Sequence, residues 1–292
     1  MAQWATFLGV VGVVVVLLLA LTRASTAALD EESSTFQPAS RSTGDRVPPD
    51  DQPTDDQSST AEQPTSGQPT NERRPADALP VDGEQPTEPA RIDASANHAP
   101  MQLSTLALLA NVAVSQGVFA VLVVVMAWYT EIPTWAFGLT TETLTVGAAG
   151  IGLAVGGGLY LGNEAAAALG RRQGLAVPTD LRESLAPETA AGWVLLLAVV
   201  LPIIAGFEEL LFRGALIGVA AAGTSLPPWL LVVGSSVAFA LGHGAQGRFG
   251  IVVTGLLGVG LGAAFVLTGS LLVVVVAHYV VNVLEFVVHE SG

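Results

Sequence analysis

Residues 192–222 read GWVLLLAVVLPIIAGFEELLFRGALIGVAAA, and this stretch decides the fold. As a helix it is long enough to cross the hydrocarbon core of a bilayer. It nevertheless carries Glu208, Glu209 and Arg213 in its second half. Because each charged residue in a membrane segment costs about 2.5–3.5 kcal/mol on insertion scales, such a cluster indicates a function. We interpret it as part of an active site.

Apolar segments recur along the whole chain, in which 51% of the residues are hydrophobic. The run 4–22 predicts a membrane anchor at residues 1–23, with a secretory signal sequence as the alternative. The anchor is favoured because no basic residue precedes the run and its apolar core exceeds the roughly 7–15 residues of a signal. Further spans are predicted at 103–128, 143–162, 192–222, 229–245, 250–268 and 270–288. The expected fold class is an all-α, polytopic transmembrane helical bundle with an N-terminal single helix.

Residues 24–100 differ sharply in composition from these spans. Pro, Asp, Glu, Ser, Thr and Gln dominate, and Gln-Pro-Thr begins at positions 52, 63, 68 and 85. Such a segment buries too little apolar surface to offset its ordering entropy. We therefore expect a disordered acidic linker at 24–100, between the anchor and a membrane domain at 101–290.

The charge composition excludes several function classes. The net charge is -14, all 11 basic residues are Arg, and residues 1–100 hold 15 acids against 6 Arg. We interpret this as a salt-adapted, haloarchaeal composition. Nucleic acid is excluded as a partner because phosphate binding needs clustered cations. The chain has no Cys, which excludes disulfides, thiol catalysis and Cys-ligated zinc.

The arginines predict an orientation in the membrane. Arg23, the polar segment 170–188 and Arg248 fall on one side if 192–222 crosses once, whereas 129–142 contains no basic residue. The positive-inside rule places that side in the cytoplasm. Pro202 and Gly206 leave an alternative, in which 192–222 splits into two helices and the parity of the later spans changes. The segment 170–188 is expected to be a cytoplasmic loop or a surface helix.

The charged cluster divides into two parts on a helix. Glu209 and Arg213 are four residues apart and can pair on one face, which lowers the cost of burying both. Glu208 is rotated about 100° from its neighbour and points elsewhere. A carboxylate that faces a dry cavity suits a general base, so we expect Glu208 to do chemistry and Glu209 to support it.

Two further motifs carry polar side chains in apolar surroundings. FALGH (239–243) presents Phe239 and His243 four residues apart, and HYVVN (278–282) does the same for His278 and Asn282. These side chains can transfer protons and donate hydrogen bonds to an oxyanion, or with Glu208 they can ligate a metal. Their spacing alone does not separate the two alternatives.

Other polar residues are weaker candidates. We expect His98 and His289 to be solvated, and Glu164 and Glu285 to lie at the membrane interface. A single polar residue in a membrane helix is often only a hydrogen bond between helices. The Gly-rich run 147–158 predicts close helix packing rather than phosphate binding, because no GxxxxGK pattern is present.

The three motifs, EELLFRG (208–214), FALGH and HYVVN, resemble the signature of the CPBP family. That family comprises CAAX prenyl endopeptidases of the Ras-converting type and bacteriocin-processing or immunity proteins, also called the Abi family. The resemblance covers about residues 188–288. It implies a multi-pass protein of the cell membrane that hydrolyses peptide bonds of membrane-associated proteins, with CAAX-type prenylated proteins as one substrate class.

The resemblance also implies a role for each motif residue. Glu208 would activate water with the help of His243, and His278 and Asn282 would hold the oxyanion. Glu209, Arg213 and Phe239 would support the site. The implied mechanism needs no cofactor, and a zinc-dependent version is the alternative. Two other functions stay open: a non-catalytic membrane-binding or immunity-type protein, and a transporter that uses Glu208 as a proton carrier.

Overall fold

In the computed structural model, the described residues are 1–35, 105–175 and 180–290, and their regular structure is entirely helical. Two short 3₁₀ turns, Thr134–Phe137 and Gly244–Gln246, lie between longer helices. The helices are α1 (Trp4–Thr35), α2 (Thr105–Tyr129), α3 (Val146–Arg172), α4 (Asp180–Leu185), α5 (Ala190–Gly223), α6 (Pro228–Gly242), α7 (Gly247–Thr268) and α8 (Leu271–Glu290). The predicted linker falls outside the described residues from residue 36 onward.

Six helices in the described ranges are long and apolar enough to cross a membrane, by length and composition. They are α1, α2, α3, α5, α7 and α8; α6 is apolar but has only 15 residues. The predicted all-α, multi-pass fold is therefore confirmed. The predicted ends are most in error at α1, which continues to Thr35 instead of ending near residue 22, and at α3, which continues ten residues beyond 162. Alanines 165–168 explain the extension of α3, because alanine has the highest helix propensity.

Helix α5 is continuous from Ala190 to Gly223, so Pro202 and Gly206 do not split it. The proline is accommodated at the start of an α-helical segment that follows the π-helical segment Leu196–Val200. A second π-helical segment, Leu210–Val219, begins directly after Glu209. π-helical turns are rare and are often found at functional sites. This second one contains Arg213.

Successive helices run in alternating directions between the two ends of the bundle. Contacts between residues that are far apart in the sequence show which segments meet at each end. Gln3 donates from its backbone N–H to the carbonyl of Thr130 at 2.8 Å, and Ser270 donates to the carbonyl of Thr143 at 3.1 Å. At the other end, the Thr22 hydroxyl lies 3.3 Å from the carbonyl of Gly242. We call the end that holds Thr22 the arginine end and the end that holds Gln3 the opposite end.

The two ends differ in composition as the positive-inside rule requires. The arginine end carries every described arginine except the buried Arg213, namely Arg23, Arg171, Arg172, Arg182 and Arg248. The opposite end, formed by 1–4, 130–145, 223–228 and 268–271, has no Lys or Arg. It carries exposed aromatic side chains typical of a membrane interface, namely Trp128, Tyr129, Trp135 and Trp229. This distribution supports a cytoplasmic arginine end.

Helices α3 and α8 pack closely through two glycines. A Cβ atom on Gly152 would lie 2.7 Å from the carbonyl oxygen of Val273, and one on Gly156 would lie 2.6 Å from that of Ala277. Those distances are shorter than carbon and oxygen atoms tolerate, so a side chain at either position would push the helices apart. The prediction that the Gly-rich run permits close packing is confirmed, and the contact holds α8 beside the motif helices.

Candidate active site

Glu209 and Arg213 form the buried base of the site. The Arg213 Nη1 atom donates to Glu209 Oε1 at 2.7 Å, and the two side chains are 1% and 0% exposed. Arg213 also donates from Nη2 to the Gly258 carbonyl at 3.2 Å, which connects α5 to α7. The predicted pair is therefore present. Because it is fully buried, each charge depends on the other for stabilisation.

His278 on α8 joins this pair from the other side. Its Nδ1 atom lies 2.7 Å from Glu209 Oε1, the same oxygen that Arg213 contacts. A carboxylate oxygen accepts hydrogen bonds, so Nδ1 carries the proton and donates. The opposite ring nitrogen, Nε2, then faces Glu208 Oε2 at 3.6 Å. Glu209 therefore fixes the orientation of the His278 ring.

Glu208 differs from its neighbour in what it contacts. Its residue exposure is 9%, and its Oε2 atom is buried without a hydrogen-bond partner. Buried polar atoms are almost always hydrogen-bonded, and exceptions concentrate at functional sites or at places for water. Glu209 Oε2 is likewise buried without a partner, so the two glutamates differ in their other contacts: Glu209 is held by Arg213 and His278 through Oε1, whereas Glu208 approaches His278 Nε2 at 3.6 Å.

His243 occupies the first residue after α6, where the helix has ended. Its Nδ1 atom lies 2.8 Å from the carbonyl oxygen of Phe239. A carbonyl only accepts, so Nδ1 is the donor, and in the neutral ring Nε2 is left as a proton acceptor. The rings of His243 and Phe239 are in contact, with centroids 4.6 Å apart. The helix end thus fixes both the tautomer and the position of His243.

Phe239 lies at the centre of the site. The Arg213 guanidinium lies over its ring, 4.6 Å from the centroid, in a cation–π arrangement. The ring also meets His278 edge-on at 5.9 Å and Phe212 edge-on at 5.1 Å. One aromatic ring therefore touches a residue from each of the three motifs, which explains the supporting role that the resemblance implies for it.

A cavity of about 520 Å³ brings the remaining motif residues together. His243, His278, Phe239 and the partly buried Asn282 all line it. Glu208 does not line the cavity, but it contacts His278, which does.

The cavity extends to the arginine end, where it is lined by a charged network that was not predicted from the sequence. His289, expected to be solvated, lies 3.0 Å from Glu164, and Arg182 contacts Glu285 at 3.2 Å and Glu290 at 2.7 Å. Asn163 also donates to Glu285. These residues connect α3, α4 and α8. One shared property could have revealed these residues in the sequence: they lie at the predicted cytoplasmic ends of spans. His98 lies outside the described residues.

The motif residues do not fit a zinc site. Ligand atoms on one zinc ion lie about 2.0–2.2 Å from it, hence within roughly 4 Å of one another. Among the described residues, one group of three His and Glu side chains has possible ligating atoms that all lie within 4.8 Å of one another. This group consists of Glu164, Glu285 and His289. That group lies outside the three motifs, and Glu285 is already paired with Arg182.

Comparison with known families identifies the C-terminal part of the chain. The family model for the type II CAAX prenyl endopeptidase Rce1-like proteins matches residues 189–284, which contain all three motifs. Neither the curated proteins nor the solved structures gave a match to the chain. Residues 189–284 are therefore similar to the Rce1-like type II CAAX prenyl endopeptidases.

Proposed function

We propose that this protein is an intramembrane endopeptidase in which Glu208 activates the attacking water. One observation carries the proposal: the buried chain of contacts from Arg213 through Glu209 and His278 ends at a Glu208 oxygen with no hydrogen-bond partner. A folded protein rarely buries such a carboxylate without use. A water held by Glu208 would satisfy that oxygen and would be the nucleophile.

The other motif residues take complementary roles. His243, whose Nε2 atom accepts a proton, assists the transfer of protons between the water and the leaving amine. His278 and Asn282 donate to the oxyanion of the tetrahedral intermediate. For His278 to donate from Nε2 while Nδ1 donates to Glu209, both ring nitrogens must be protonated. In that state, the two negative charges of Glu208 and Glu209 equal the two positive charges of Arg213 and His278.

We propose a metal-independent mechanism. Glu208, His243 and His278 do not gather as ligands of one ion, and Glu209 already uses the Nδ1 atom of His278. Attack on a peptide carbonyl then depends on a base and on donors aimed at the developing charge, which the same side chains supply. In this account chelators leave cleavage unchanged.

The substrate is a membrane-associated protein or peptide, and CAAX-type prenylated proteins are the class that the family description favours. The catalytic domain is residues 101–290, in a cell membrane whose cytoplasmic face contains the arginine end. The cavity extends to that end, where Arg182, Glu285 and His289 line it. The cleavable bond therefore reaches the site from the cytoplasm.

The experiment that tests hydrolysis directly uses the full chain in detergent and a panel of prenylated and unprenylated peptides, in water enriched in the heavy oxygen isotope. Hydrolysis places one labelled oxygen in the new C-terminal carboxylate, which mass spectrometry of the products detects. A binding or immunity-type protein would retain peptides without producing labelled fragments. Intact peptides throughout, with well-folded protein, would refute the enzymatic function.

A further inference from the structure

We propose that α1 is a structural part of the active site rather than a membrane anchor alone. One face of α1 supports the helices that carry the motifs, and its residue Thr22 holds the loop that carries His243. Helix α1 lies outside the family match at 189–284. The effect on catalysis rests on the proposed function, whereas the packing of α1 does not.

One face of α1 is completely buried. Phe7, Val11 and Val14 are 0%, 1% and 1% exposed. Their spacing of four and three residues places them on one face of a helix. Side chains on the other face stay exposed: Val13 is 58%, Val16 is 64% and Leu17 is 49% exposed. A helix that only anchors the chain in lipid needs no such buried face.

The buried face of α1 belongs to the same apolar cluster as the residues around the site. Phe7, Val11 and Val14 share this cluster with Leu211, Phe212 and Phe239, among others. The first two of those partners lie between Glu209 and Arg213 on α5, and Phe239 contacts both Arg213 and His278. Removing the α1 face would therefore leave a void beside the segment that positions the catalytic groups.

The same face reaches the His243 loop near the arginine end. Leu18 packs against the cluster, and Thr22 follows it by four residues. The Thr22 hydroxyl lies 3.0 Å from the Leu18 carbonyl and 3.3 Å from the Gly242 carbonyl, so it divides its proton between them. The Thr22 methyl group also lies 3.8 Å from the place of a Cβ atom on Gly244. Thr22 thus bonds to the residue before His243 and lies beside the residue after it.

This contact matters because the His243 ring is fixed through its own backbone. Its Nδ1 atom is bound to the Phe239 carbonyl, so a shift of residues 242–244 moves Nε2 relative to the cavity. Thr22 touches no substrate atom in this account. It acts as a positioning residue for His243.

The packing of α1 is tested by two matched triple variants of the full chain. One carries Phe7→Ala, Val11→Ala and Val14→Ala on the buried face, and the other carries Val13→Ala, Val16→Ala and Leu17→Ala on the exposed face. Thermal unfolding in detergent is measured for both, which needs no substrate. We expect the buried-face variant to unfold several degrees lower or to fail to fold, with the exposed-face variant near wild type. Equal behaviour of the two variants would overturn the proposal.

The positioning role is tested by Thr22→Val and Thr22→Ser. We expect Thr22→Val to lower kcat by about tenfold with KM unchanged, since small misplacements of a catalytic group are costly. Thr22→Ser keeps the hydroxyl and should stay within about twofold of wild type. Wild-type kcat in Thr22→Val, or equal losses in the two variants, would overturn the role. If wild type cleaves nothing, the proposed function fails, while the unfolding comparison still decides whether α1 is part of the core.

Discussion

Glu208 and Glu209 are adjacent in the chain, yet their surroundings differ. Glu209 accepts from Arg213 and His278 through one oxygen. Among the described ionisable groups, the one that Glu208 contacts is His278, whose Nε2 atom lies 3.6 Å from Glu208 Oε2. The two residues can therefore be separated experimentally by measuring activity and stability on the same variants.

The first prediction concerns Glu208. Glu208→Gln keeps the size of the side chain but removes the base, so we expect cleavage to fall by roughly a thousandfold, within the range for general base catalysis. Thermal unfolding should change little, because the Glu208–His278 contact is long at 3.6 Å and the buried Glu209–Arg213 pair stays intact. Peptide cleavage and unfolding curves of the purified variant provide the check. Wild-type turnover in the folded variant would contradict the role of Glu208.

The second prediction concerns Glu209. Glu209→Ala leaves the buried Arg213 charge unpaired, and breaking such a pair costs about 3–5 kcal/mol. We expect a much lower unfolding temperature than for Glu208→Gln, together with loss of activity. If both variants unfold at the wild-type temperature, Glu209 does not hold Arg213 in the way described.

At the scale of the single residue, the sequence predicted the motif pairings because helical spacing is a strong constraint. Glu209 and Arg213 pair as expected, and His278 and Asn282 line one cavity. The contact of His278 with Glu209 could not be predicted, since the residues are 69 positions apart and the contact depends on how α8 packs against α5. The network of Arg182, Glu285 and His289 was not predicted for the same reason, because it also depends on how helices distant in the sequence pack.

At the scale of the helix, α3 and α8 meet through Gly156, and this contact gives a third prediction. Gly156→Ala places a methyl group against the Ala277 carbonyl and should destabilise the protein by about 1–3 kcal/mol. Gly157→Ala, where no atom lies within 4 Å of the added methyl, should be neutral or slightly stabilising. Unfolding temperatures of the two variants test this. Equal effects would show that the close contact is not real.

Helix positions follow from hydropathy, whereas helix ends and helix geometry depend on more local features. Apolar length predicted α5 to within two residues at each end. Its π-helical segment at Leu210–Val219 was not predicted, because no pattern of residue types distinguishes it from an α-helical segment. The buried face of α1 was also missed, since a helix that is apolar all round gives no periodic signal.

At the scale of the whole molecule, the arginine end should face the cytoplasm, which is the fourth prediction. The chain contains no Cys, so single cysteines can be introduced without background. We expect Thr141→Cys at the opposite end to react with an impermeant maleimide on intact cells. Gln173→Cys at the arginine end should react only after lysis. The reverse pattern would invert the topology and place the arginine end outside the cell.

The orientation, the cavity and the buried carboxylate together support our proposal of an enzyme that hydrolyses peptide bonds from the cytoplasmic side without a metal. The most direct measurement is cleavage of a membrane-associated peptide by wild type and by Glu208→Gln, each with and without a chelator. We expect cleavage by wild type that survives the chelator and is lost in Glu208→Gln. Cleavage that the chelator abolishes, or that persists in Glu208→Gln, would contradict the glutamate-dependent mechanism.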